Sequence, residues 1–205
     1  MDDKDQRGTT QDGFRVVCLC GSAGALEAYR KILRALPADT GMAFVIATHR
    51  GMEHAELLPR LLAEVTGMPV TEIQEGLRLE PNRIFLMPPH MHMTMAGPVL
   101  HLQPRGRTRG WPISINAFLC SLAETIGPLA VAVILSGMGD DGSAGLKPVK
   151  DAGGVIFAQS DAAEDSMPRQ AIKTGCVDFI LPAAEIGRQL LSLTAPSLAW
   201  NSAAK

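Results

Sequence analysis

Apolar and polar positions along the chain fall into two alternating regimes. Short apolar runs occupy 14–20 (with Arg15 near its start), 42–48 and 129–135, as expected of strands buried on both faces of a sheet. Between them the apolar residues recur at helical spacing. Ala25, Ala28, Tyr29, Ile32, Leu33 and Leu36 form one stripe that ends at Pro37. Leu57, Leu58, Leu61, Leu62 and Val65 form a second that ends at Gly67, and Ile115, Phe118, Leu119, Leu122, Ala123 and Ile126 a third. These spacings predict helices. Further strands are predicted at 69–73, 83–87, 154–159 and 177–181, and further helices at 143–151, 168–174 and 185–193. Ser143 is the expected cap of the first of these, and Pro168 the expected opening residue of the second. Pro148 costs a helix interior about 3 kcal/mol, so the 143–151 helix is expected to start late, bend or be short. Segments 90–95 and 99–102, separated by Gly97-Pro98, read as an antiparallel hairpin. The pattern is α/β: a doubly wound, mostly parallel sheet with helices on both faces and a small antiparallel hairpin insert.

Composition narrows the function. The chain has 205 residues, 46% of them hydrophobic and 20% charged, with 19 basic and 21 acidic side chains and a formal net charge of -2. One domain of about 14–194 is expected between polar tails at 1–13 and 195–205. The near balance of charge argues against nucleic acid and against a polybasic membrane anchor. The longest clean apolar run, 129–135, is too short for membrane insertion. Cys18, Cys20, Cys120 and Cys176 show no CxxC spacing, and three lie in apolar runs. They read as buried hydrophobes in a reducing compartment, and a cytoplasmic location is expected.

In doubly wound sheets, sites form outside the carboxyl ends of the strands. Three turns qualify. Cys20-Gly21-Ser22-Ala23-Gly24 follows the first strand, His49-Arg50-Gly51 the second, and Ser136-Gly137-Met138-Gly139-Asp140-Asp141-Gly142 the run at 129–135. They carry a serine, a histidine and an aspartate, Asp140 or Asp141. A hydroxyl nucleophile, a base to take its proton and a carboxylate to orient the base are the parts of acyl-transfer catalysis. The helix start after Ser22 and the glycine turn around Met138 offer backbone N–H groups for an oxyanion. Each residue alone has an ordinary reading as a cap, a satisfied polar group or a turn former. Their joint occurrence at three strand ends raises the catalytic one.

Two familiar motifs do not fit. A nucleophile elbow G-x-S-x-G requires glycine where Cys20 stands, and the order Ser…His…Asp differs from that of α/β-hydrolases. A dinucleotide site requires G-x-G-x-x-G and an acid after the second strand, where Thr48-His49-Arg50 is found.

From about Arg15 to Leu193 the sequence resembles the catalytic domain of CheB-type protein-glutamate methylesterases. The matching motifs are Gly21-Ser22-Ala23-Gly24 with Leu26-Glu27-Ala28, Asp39-Thr40-Gly41-Met42-Ala43-Phe44-Val45, His49, Met87-Pro88-Pro89, Leu135 to Gly142, and Met167-Pro168-Arg169-Gln170-Ala171-Ile172. The variant is most like those fused to receptor methyltransferases. The resemblance implies that Ser22 is the nucleophile, His49 the base and Asp141 the orienting carboxylate. It implies backbone oxyanion contacts from Ala23 and Met138, and a substrate-positioning role for Arg169. The implied reaction is hydrolysis of glutamate γ-methyl esters on the cytoplasmic helices of methyl-accepting chemotaxis receptors, with deamidation of receptor glutamines as a second activity. No cofactor and no metal are implied. A receptor methyltransferase or another signalling protein is a further candidate partner. The sequence departs from the family in Ala25, where a second glycine is usual, and in Asn116, where an acid is usual. The short N-terminal tail leaves no room for a receiver domain, so control by another route is expected. The alternative function is an idle binding module of the same fold.

Two other clusters have plain readings. Met87, His90, Met91, His92, Met93 and Met95 suit copper by ligand type, but methionine commonly fills core gaps. Arg105, Arg107 and Arg109 beside Trp111 read as a solvated basic loop, with steering of an acidic receptor segment as the alternative.

Overall fold

The computed structural model describes residues 13–48, 57–104 and 114–193. Most of the expected tails, the loop carrying His49, and Arg105, Arg107, Arg109 and Trp111 lie outside the described residues.

The main sheet has seven strands: β1 (Val16–Gly21), β2 (Ala43–Thr48), β3 (Val70–Glu72), β5 (Arg83–Leu86), β8 (Ala130–Ile134), β9 (Val155–Gln159) and β10 (Phe179–Leu181). Their order is β10-β9-β8-β1-β2-β5-β3, and every pairing is parallel. The central strands β1, β2 and β8 are buried throughout, which explains their unbroken apolar runs. Alternate side chains of β1 serve two cores. Val17 and Leu19 pack with α1 (Ala25–Arg34), α2 (Leu58–Ala63) and α6 (Ala183–Leu191) on one face. Cys18 and Cys20 pack with α3 (Ser114–Ile126), α4 (Ser143–Asp151) and α5 (Ser166–Lys173) on the other. Among the described residues no helix is long and apolar enough to cross a membrane.

The insert is larger than a hairpin. β6 (Met91–Ala96) and β7 (Val99–Pro104) pair antiparallel as expected, and β4 (Leu77–Arg78) adds a third strand in the order β4-β7-β6. Two residues carry too short a pattern to read as a strand. Three methionines of this region, Met87, Met93 and Met95, are buried in the α3 face of the core, while Met91 is half-buried.

Two local expectations are corrected, both at helix starts. α4 itself has the expected bounds: it does not start late, and it is a short helix of nine residues with Pro148 inside it. The carbonyl that Pro148 leaves unpaired belongs to exposed Ala144, where solvent can satisfy it. Ser143 is not the cap; the N-cap is Gly142, at φ 101°. α5 begins two residues before Pro168, with Asp165 at its N-cap.

The strand order places the topological switch between β1 and β8. The chain runs outward from β1 through β2 and returns to the other side of β1 at β8. The crevice outside the carboxyl ends of such a pair is where doubly wound sheets bind ligands. Ser22 follows β1, and Ser136 to Gly142 follow β8.

Candidate active site

The β1–β8 ladder runs on past both strands and joins the two turns. Leu135 N–H donates to the Cys20 carbonyl at 2.8 Å, and Ser22 N–H donates to the Ser136 carbonyl at 2.9 Å. Ser22 is therefore held by its own backbone against the glycine turn. Gly24 takes φ 73° to start α1, a conformation that favours glycine. A Cβ there would also meet Ser136 Oγ at 2.8 Å.

Ser136 is the buried hub between these elements. Its hydroxyl donates to the Ala23 carbonyl at 2.9 Å and accepts from Glu164 N–H at 2.9 Å. Its N–H donates to Gln159 Oε1 at 3.0 Å, and Gln159 Nε2 donates to Asp161 Oδ1 at 2.9 Å. Gly137 is gripped between Glu164 and Met167 by backbone bonds of 2.9 Å each. Ser166 Oγ donates to the Gly139 carbonyl at 3.2 Å. The glycine turn is thus fixed to the connection between β9 and α5.

Asp140 and Asp141 are separated by burial. Asp140 is exposed, whereas Asp141 is 6% exposed. The Asp141 carboxylate accepts from Ile115 N–H at 3.2 Å and from Asn116 N–H at 3.1 Å, the first turn of α3. Unpaired N–H groups and the positive end of the helix dipole both favour the ionised carboxylate. Its charge reaches the Cys20 thiol, two residues before Ser22. Burial pushes that thiol well up, its hydrogen bond with Cys18 adds to the shift, and Asp141 contributes in the same direction.

Ala23 and Met138 are exposed at the mouth of this arrangement. Among the described residues, neither the Ala23 nor the Met138 N–H donates to a protein acceptor. Arg169, on α5, is largely solvent-facing and its Nε lies 2.7 Å from Asp165 Oδ2. His49 lies outside the described residues; Thr48, before it in the chain, pairs with Gly21. A half-exposed serine, a buried carboxylate and two N–H groups with no acceptor among the described residues thus lie in the turns that follow β1 and β8. That set can support attack on a carbonyl carbon when a base completes it.

Outside the crevice, His92 Nδ1 lies 3.2 Å from the hydroxyl of Ser114, at the start of α3. Among the described residues no group of three His, Cys, Asp or Glu side chains converges as metal ligands would. The hub role of Ser136 was not legible in sequence, since a serine in a glycine turn carries no spacing signal. Asn116 stood out only as a departure from the family pattern.

A doubly wound α/β domain with a serine turn and a buried carboxylate at its switch point is the class that this fold and site define. The CheB methylesterase family model matches residues 17–190, and the chain belongs to that family. It is 32% identical over 188 residues to a protein-glutamate methylesterase/protein-glutamine glutaminase of Moorella thermoacetica, covering 88% of this chain and 44% of the relative. It is 34% identical over 185 residues to the protein of that name in Bordetella parapertussis, covering 87% and 53%. A 104.1 kDa protein of Rhodobacter capsulatus is 45% identical over 129 residues, 62% of this chain and 13% of the relative. The chain thus spans about half the length of the methylesterases it matches. The crystal structure of the Thermotoga maritima CheB methylesterase catalytic domain superposes with a TM-score of 0.82 at 24% identity, covering 89% of this chain and all of that one. It establishes the shared fold.

Proposed function

We propose that the chain is a serine hydrolase acting on glutamate γ-methyl esters of methyl-accepting chemotaxis receptors, and on receptor glutamines as a second substrate. The observation that carries this reading is the 2.9 Å bond from Ser22 N–H to the Ser136 carbonyl. It holds the serine turn and the glycine turn as one unit, with the buried Asp141 carboxylate beyond. The names of the Moorella and Bordetella relatives, protein-glutamate methylesterase/protein-glutamine glutaminase, agree with this choice of substrate.

In the mechanism, Ser22 Oγ attacks the ester carbonyl carbon and His49 takes the hydroxyl proton. Asp141 orients His49 and stabilises the imidazolium. The Ala23 and Met138 N–H groups receive the oxyanion, each contributing on the order of 10²–10³ in rate by analogy with other such donors. The tetrahedral intermediate collapses, the C–O bond to methoxide breaks, and His49 returns the proton to give methanol. Water, deprotonated by His49, then attacks the acyl-enzyme; the ester bond to Ser22 breaks as His49 returns the proton to Ser22 Oγ, and the free glutamate side chain is released. With a glutamine substrate the leaving group is ammonia. Arg169 is assigned to positioning the receptor segment. The protein acts in the cytoplasm, and the free thiols of Cys18, Cys20, Cys120 and Cys176 suit that compartment.

The test is methanol release from a methylated receptor fragment by the purified protein and by Ser22→Ala. Release by the native protein alone is expected. Equal release from both would remove Ser22 as nucleophile, and release from neither would overturn the hydrolase reading.

A further inference from the structure

The turn that carries Asp141 is tied to α3 from both directions. Asp141, at the entrance to α4, accepts from the first N–H groups of α3, Ile115 and Asn116. Asn116, in the first turn of α3, sends its amide oxygen the other way. Oδ1 accepts from Gly142 N–H at 3.0 Å and from Gly145 N–H at 2.9 Å, the first turn of α4. Each helix is thus capped by a side chain of the other, and α4, whose N-cap Gly142 has no side chain to give, is capped from α3.

Other features make this lock stiff. Gly142 sits at φ 101°, and a Cβ there would meet Ile115 Cγ2 at 3.1 Å and Ile134 Cδ1 at 3.2 Å. Gly145 packs so tightly on α3 that a Cβ would lie 2.7 Å from Leu119 Cβ and 3.1 Å from the Asn116 carbonyl. Two N–H donors converge on one Asn116 atom, so that atom is the amide oxygen; the NH₂ group in its place would oppose both.

We propose that Asn116 is a positioning residue for the hydrolytic reaction: its amide oxygen anchors the start of α4, and through it sets where Asp141 stands relative to the serine turn. The role rests on the hydrolase reading given above. Removing the acceptor leaves the Gly142 N–H without its partner and the Gly145 N–H with only its 3.2 Å bond to the Gly142 carbonyl, and frees Asp141 to move with the end of α4. A displacement of about 1 Å at a catalytic group is worth on the order of 10²-fold in rate.

The experiment compares native protein with Asn116→Leu, which keeps bulk and removes the acceptor, and Asn116→Asp, which keeps an acceptor oxygen. Two readouts are taken: amide exchange at Gly142 and Gly145, and kcat and KM for methanol release from methylated receptor fragment, per folded molecule. Asn116→Leu is expected to accelerate exchange at both glycines and to lower kcat by about 10–100-fold with KM unchanged. Asn116→Asp is expected to restore both protection and the larger part of kcat. A merely structural residue would lower the folded fraction but not kcat per folded molecule; that result, or unchanged exchange in Asn116→Leu, overturns the proposal. If the native protein releases no methanol, the hydrolase reading falls and the positioning role falls with it. The exchange comparison then still decides whether Asn116 holds the turn.

Discussion

Gly137 tests how closely the glycine turn is fitted to Ser22. Its φ lies outside the left-handed region, so the backbone alone would accept alanine. The surroundings would not. A Cβ at Gly137 would lie 2.2 Å from Met167 Sδ, 3.2 Å from Met167 Cγ and 3.1 Å from Ser22 Cβ. The first contact is more than an ångström inside ordinary van der Waals distance. The Gly137 backbone cannot retreat freely, because its N–H is bonded to Glu164 in the β9–α5 connection and its carbonyl to Met167 in the first turn of α5. Met167 must therefore swing, and it is fully buried. Overpacking of this kind costs about 1–3 kcal/mol. Ser22 must also give by a few tenths of an ångström, which on the scale of about 10²-fold per ångström is roughly a tenfold loss in reactivity. Met167→Ala alone leaves a cavity and costs about 2–5 kcal/mol. In the double variant the new methyl group occupies part of that cavity, so the two effects are expected to fall short of additivity by about 1 kcal/mol or more. Denaturant midpoints measure the stability terms, and the rate of labelling by a phosphonyl fluoride measures Ser22. Strict additivity, or Gly137→Ala with native stability and native labelling rate, would refute the packing argument.

Two further outcomes follow from a buried hydroxyl and from a carboxylate near the surface. Tyr29 is fully buried and among the described residues its hydroxyl has no hydrogen-bond partner, lying under Gly21 where a Cβ would approach it to 2.6 Å. Burial pushes its pKa well up, and the nearby Cys20 and Cys18 thiols add to the shift. Tyr29→Phe removes a desolvated hydroxyl and breaks no bond, so stability should stay level or rise by up to about 1 kcal/mol; a drop of that size in a urea melt would contradict this. For Asp161, burial alone raises the carboxyl pKa, but hydrogen bonds from Gln159 and the Ala183 N–H, with the Lys31 charge, outweigh it and hold the pKa below its ordinary value. A carboxylate whose folded pKa is depressed adds stability above its unfolded pKa and loses it as pH falls through the folded one. Asp161→Asn should therefore be less stable than native at pH 7 by well under 1 kcal/mol, given the screening of so exposed a pair, and the gap should close as pH falls below the ordinary aspartate range and through the lowered folded pKa. A gap that persists there would show that the loss lies in packing and not in charge.

The sheet was legible because its central strands are buried on both faces, so their apolar runs carry no competing reading. Helix existence was equally plain, while helix starts were not. Gly142, not Ser143, stands at the N-cap of α4, and α5 opens at Ser166, not at Pro168, because partners of those first turns come from elsewhere in the chain. β4 escaped notice because two residues show no period. For the site, strand ends plus residue chemistry were enough to select Ser22 and the glycine turn. Residue chemistry left Asp140 and Asp141 equivalent, and the family resemblance chose Asp141. The structure separates them by a physical criterion that the sequence lacks, since one faces solvent and the other the first turn of α3.

What stayed hidden has one cause. Ser136, Gln159 and Asn116 act through bonds that join residues distant in sequence: Ser136 to Ala23, to Gln159 and to Glu164, and Asn116 to Gly142 and Gly145. None of these bonds leaves a periodic or local signature. Each ties a turn at the end of one central strand to an element that packs beside it. A parallel sheet presents its strand ends as separate loops, with nothing in the ladder to fix one loop against the next beyond the last pair of bonded residues. The short polar side chains at the switch point supply that missing fixation. The same reasoning separates the two kinds of residue in the crevice. In the proposed mechanism Ser22 and Asp141 act on the substrate, whereas the bonds of Ser136 and Asn116 join the turns that carry them.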